Sequence, residues 1–264
     1  MWRVLKHTFK QSIRSVAFLS AGAALFFYVV VWSSSSFADQ IGQAPFFTSP
    51  PRAFRAMLGS SDFLSPKGWI AIGLGHPLSL ALFAAAAIGI ASSGVAAEIE
   101  RGTVDFVLAR PIRRASFLAA KAAAALAALT MVEGAGLAGT ILARSTISRG
   151  SVIPISGTAR GFIGSWILFA SFALIALLIS SISSLKSKAL GVSAGVLVGS
   201  FFLNVIALLV DRLYALRFLS LFHYVRPDDL ISGASPAPLF VPLAVGLLAG
   251  ALALIVFARR DIVR

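Results

Sequence analysis

The sequence predicts an all-α membrane protein: six transmembrane helices led by an interfacial helix, with a further short amphipathic helix on the cytoplasmic side. Three observations predict it. Of the 264 residues, 58% are hydrophobic and 12% charged, with a mean hydropathy of +0.90, whereas soluble domains carry about 25% charged residues. Setting Glu133 aside, cutting the chain at its charged residues leaves six long windows: 15–38, 68–97, 122–143, 161–185, 189–210 and 230–258. Each exceeds the roughly 20 residues that span a hydrocarbon core. The windows are also apolar all round and rich in Ala, Leu and Gly, without the polar-apolar alternation that barrel strands require.

Residues 1–14 read as an interfacial helix. Trp2, Leu5, Phe9 and Ile13 share one face, and Arg3, Lys6, Lys10 and Arg14 flank it, as in a helix lying at the headgroups. A cleavable signal is the weaker reading of this start, because the apolar run after Arg14 is at the long end for a signal core. The spans then fall at about 15–36, 72–97, 119–143, 161–183, 189–210 and 238–258. Pro77 marks the start or a kink of the second. Outside the membrane, Pro50-Pro51 opens a short helix that Gly59 ends, and 144–160 is plain loop. In 211–237 an amphipathic half, with Leu213, Leu216, Leu219 and Phe222, lies in or dips back from the outer interface before turn-forming residues re-enter the last span.

Charge orients the chain. With the N-terminus inside, the inner loops hold 14 Lys and Arg and the outer loops nine, which favours both termini cytoplasmic. The net charge of +13 is therefore read as contact with phospholipid headgroups and not with nucleic acid. The absence of Cys excludes disulfides and thiolate metal sites. Gly191, Gly195 and Gly199 in the fifth span, and Gly246 and Gly250 in the sixth, form small-residue stripes for close helix packing, against this chain or a second copy.

The longest inner connection, Glu98 to Lys121, departs from plain membrane grammar. Gly102-Thr103 ends one helix and caps the next, Val104, Val107 and Leu108 fall on one face, and Pro111 stops that helix before a basic pair. Such a helix can plug into a groove on a cytoplasmic partner. At Glu98, Gly102, Thr103, Val107, Leu108, Pro111, Arg114 and Lys121 the sequence resembles the ABC-2 family of ABC-transporter permeases, in its short, single-permease members. Ser220 to Tyr224 with Pro227 and Gly233, and Phe257 to Ile262, are similar to the family's ending.

The resemblance implies a single permease domain with an elbow helix over 1–14 and a coupling loop over 98–118 that docks on a separate ATP-binding subunit. It also implies a second permease copy or paralogue. ATP and Mg would sit on the partner, because this chain lacks the glycine-rich phosphate loop and its lysine. It is therefore not itself an enzyme and binds no cofactor. The implied activity is export by alternating access in a bacterial plasma membrane, a source that the excess of Arg over Lys, 17 to 6, also suggests.

Glu133 lies about twelve residues, or roughly 18 Å, past Lys121 along a helix, near mid-membrane. There an acid either lines the transport path or a gate, or holds a structural hydrogen bond to Ser, Thr or Asn204. The alternative functions are an intramembrane enzyme or an ATP-independent transporter. For the first, His76 and His223 lie near the outer surface, far from Glu133; for the second, intramembrane charge and internal repeats are scarce.

Overall fold

A computed structural model describes residues 2–41, 51–53, 65–102, 114–147 and 153–260. The long helices are α1 (Trp2–Ile41), α5 (Arg114–Thr146), α6 (Ile155–Ile182), α7 (Lys186–Leu209) and α9 (Phe240–Arg259). The shorter ones are α2 (Pro66–Gly75), α3 (Pro77–Ala91), α4 (Ala96–Glu100) and α8 (Pro227–Ile231). Five helical stretches are long and apolar enough to cross a membrane, and the bent pair α2–α3 makes a sixth. Among the described residues there is no strand.

The helix expected over 1–14 is not a separate element. It continues without a break into the first span as one helix of 40 residues, because no Gly or Pro interrupts its backbone hydrogen bonds before Gly22. The second span, expected as one helix over 72–97, is bent by 51° at His76–Pro77 and ends at Ala91. Pro77 brings no N–H, and the groups freed at the bend find local partners. Leu78 N–H donates to His76 Nδ1 at 3.1 Å, and the Ser79 hydroxyl donates to the carbonyls of Gly73 and His76.

Close packing is set by glycines of α5 and α6 outside the predicted stripes and by the sixth-span pair Gly246 and Gly250, but not by the stripe of the fifth span. Helices α1 and α5 run parallel, with Gly139 against the Ala24 backbone and the Tyr28 hydroxyl 3.4 Å from Thr146 Oγ1. On α6, Gly157, Gly161 and Gly164 form a trough that receives Ile231 and Leu230 of α8. Gly246 of α9 lies on Ser171 of α6, whose hydroxyl donates to Pro242 O at 2.6 Å. Gly191, Gly195 and Gly199, by contrast, meet nothing within 4 Å. Their face of α7 is opposite the one carrying Ala189, Ser193 and Leu197, which is buried. The stripe on α7 therefore packs against no other part of the described chain.

An aromatic chain fills the middle of the bundle. Phe27 lies 4.9 Å from Phe162 and 6.1 Å from Phe83, which meets Phe169 at 5.6 Å. Phe222 joins it from beyond α7, against Phe169, Phe172 and Phe201. It arrives there because the chain after Leu209 turns back as the 3-10 helix Asp211–Leu219. Ser220 then hydrogen-bonds Ser200, nine residues before the end of α7, or about 13 Å back along the helix. The segment dips back, as its amphipathic pattern predicts.

Candidate functional site

We call the end of the bundle where α1 begins and α9 ends the terminal face. There, α3 stops at a Ser92-Ser93-Gly94 turn, and the buried hydroxyl of Ser180 on α6 holds the turn in place. It accepts from Val95 N–H and Ala96 N–H at 3.0 and 3.1 Å and donates to Ser92 O at 2.9 Å. This latch sets the start of α4, which presents Glu98 and Glu100 in different directions. Gly102 ends α4 with φ of +66°, a conformation that glycine adopts without strain, and its N–H donates to Ile99 O at 3.0 Å.

Glu98 Oε1 accepts from Lys121 Nζ at 3.0 Å, with Lys121 itself 5% exposed and its ammonium 5.3 Å from the Phe117 ring centre. Glu100 Oε2 accepts the backbone N–H of Lys186 at 2.8 Å, placing a carboxylate at the N-terminus of α7, where the helix dipole favours negative charge. On the other side of 103–113, Arg114 Nη1 donates to Arg260 O at 2.7 Å and to Phe257 O and Ala258 O at 3.4 Å. Arg260 in turn donates from Nη1 to Ser181 O at 2.7 Å and Ser183 O at 3.0 Å. Both guanidinium groups cap helix C-termini with the favourable sign.

The family-pattern residues thus divide. Glu98 and Lys121 are brought together, Gly102 ends a helix, and Arg114 reaches the last span. Thr103, Val107, Leu108 and Pro111 lie outside the described residues. Sequence reasoning missed Glu100, Arg260 and Ser180, since a carboxylate facing a helix start from another element leaves no local spacing to read.

Glu133 is 3% exposed between α5 and α6 and accepts from Ser165 Oγ at 3.2 Å through Oε1. Oε2 has no partner among the described residues. Ser165 also lines a cavity of about 60 Å³ shared with Asn204, whose Oδ1 is likewise unpartnered. The hydrogen bond is to Ser165 and not to Asn204. The Glu133–Ser165 pair resembles a base beside a nucleophile, and Ser165 is buried, at 4% exposed. His76 stands at the N-cap of α3, where its imidazole accepts a backbone N–H, a structural role.

These positions can be set beside known families. A family model described as ABC-2 family transporter protein matches residues 2–262. The chain belongs to this family. No curated protein matches the sequence. The ABC-2 chain is accordingly a multi-pass membrane permease subunit of an ABC transporter and not its ATPase. In this permease the polar contacts of the terminal face converge on both flanks of 103–113.

Proposed function

We propose that this permease works as an ATP-driven exporter, in a pair with a second permease chain and bound to separate ABC ATP-binding subunits. The terminal face, with both termini, lies on the cytoplasmic side of a bacterial plasma membrane. Segment 103–110 takes the coupling role, and ATP and Mg act on the partner. The observation that carries this reading is the anchoring of the segment's flanks. Glu98 grips α5, Glu100 grips the start of α7, and Arg114 grips the end of α9. A push on the segment therefore reaches three spans at once, as alternating access requires.

Glu133 fits a place beside the transport path, since Ser165 connects it to a cavity next to Asn204. The unpartnered glycine face of α7 fits the second permease. Purification from the native membrane in mild detergent, with identification of stoichiometric partners and an ATPase assay, tests the reading. A co-purifying ATPase that is lost on Val107→Glu supports it. A chain that emerges alone overturns it and returns the intramembrane-enzyme and ATP-independent alternatives.

A further inference from the structure

A cleft of about 750 Å³ separates the start of α1 from the end of α3 and from α4. Its α1 wall runs from Thr8 to Leu19, about 16 Å along the helix and close to the depth of one leaflet of hydrocarbon. The two ends of the cleft differ in chemistry. Toward the terminal face stand Arg14, Arg101 and Lys186, beside the Glu98–Lys121 pair. No described carboxylate forms an ion pair with any of these three cations. Deeper in, the walls are Phe18, Leu19, Ala85, Ala86 and Gly89.

Two features mark a built site. Thr8 lines the cleft at 6% exposure, and its hydroxyl has no partner among the described residues. A buried hydroxyl without a partner is costly unless something completes it. Gly89 opens on the apolar end, and a Cβ there would meet nothing within 4 Å, so an acyl chain can lie directly on the α3 backbone. Cations and a hydroxyl donor at one end, and an apolar slot at the other, along a wall about one leaflet long, match a single chemistry.

We propose that this cleft binds an anionic phospholipid of the leaflet at the terminal face, with the headgroup phosphate among Arg14, Arg101 and Lys186 and an acyl chain along Gly89. The site depends on the cleft alone and not on the coupling reading, so either can fail without the other. A lipid seated there bridges α1 to α3 and to α4, which carries Glu98 and Glu100.

The full-length chain is reconstituted in phosphatidylcholine nanodiscs doped with nitroxide-labelled phosphatidylglycerol or, in parallel, nitroxide-labelled phosphatidylcholine. The motionally restricted fraction of each label is read by electron paramagnetic resonance. Phosphatidylglycerol is expected to be restricted preferentially, and Arg14→Gln to lower that preference about fivefold, as removal of one basic contact to an anionic lipid would. Lys10→Gln, an exposed cation outside the cleft, is expected to lower the preference less than Arg14→Gln does. Gly89→Leu, whose Cβ meets nothing within 4 Å, projects into the apolar end and is expected to reduce restriction of the phosphatidylglycerol label.

An unchanged preference in Arg14→Gln, or an equal loss in Lys10→Gln, overturns the site in favour of general surface charge. Displacement of the labelled lipid by soluble glycerol phosphate overturns the lipid assignment in favour of a free phosphate ester. Circular dichroism and elution matching the parent chain establish that each variant is folded.

Discussion

Ser180 shows how much one hydroxyl can carry in a membrane interior. It serves two N–H groups and a carbonyl at the turn that ends α3, where water is not at hand to replace it. Ser180→Ala leaves all three without this partner, at about 1–3 kcal/mol for each group left unsatisfied. The expected outcome is a loss of stability well above that of Ser187→Ala, on the outward side of α7, measured by equilibrium unfolding in mixed micelles. The buried Glu98–Lys121 pair gives a sharper test. Breaking such a pair from one side strands a charge and costs about 3–5 kcal/mol, whereas neutralising both partners can cost little. Glu98→Gln is therefore expected to destabilise the chain more than Glu98→Gln combined with Lys121→Gln in the same unfolding measurement. If the double variant is the weaker one, the ion pair is a net stabiliser and the desolvation argument fails.

The helices themselves were largely legible in the sequence, because length and uniform apolarity decide what can cross a bilayer. Interruptions and partners were not. The bend at Pro77 was readable from the proline, but its size depends on how His76 and Ser79 satisfy the freed groups. The continuity of α1 through Arg14 shows that a change from basic to apolar composition does not end a helix when no residue breaks the backbone. Glycine spacing proved an uneven guide to which face packs, since Gly246 of the sixth-span stripe lies on Ser171 whereas the fifth-span stripe meets nothing described. The long stripe on α7 meets nothing within 4 Å, while Gly136 and Gly139 on α5 and the trough on α6 take the close approaches. Spacing marks a face as able to pack, and the opposing surface decides whether it does. Gly139→Ala would drive a Cβ into the Ala24 backbone, an overpacking of about 1–3 kcal/mol. Gly195→Ala on the open face is expected to be neutral or to stabilise the monomer by about 0.5–1 kcal/mol, the helical advantage of alanine. Unfolding of the two variants side by side checks the contrast.

For the whole molecule, the terminal face joins parts that the sequence keeps far apart. Residues 98–102 and 114 touch α5, α7 and α9, so a load on the intervening segment is shared rather than borne by one span. Glu100→Gln is expected to leave partner binding intact but to weaken the link to α7, lowering transport-coupled ATP hydrolysis up to about fivefold, the worth of one charge at a helix end. Measuring partner retention and ATPase stimulation on the same preparation separates this from Val107→Glu, which is expected to abolish both. Gly195→Leu is expected to reduce cross-linking between permease copies if the α7 stripe is where they meet, with monomer stability unchanged. The Arg114 cap also bears on biogenesis. Its acceptors at Phe257, Ala258 and Arg260 follow more than a hundred residues later. At ribosomal speeds of about 5–20 residues per second, Arg114 waits roughly 7–30 seconds for the last of these acceptors to be made. During that interval the Arg114 guanidinium lacks all three of these acceptors, so the contact that ties the inner connection to the last span is among the final ones to form.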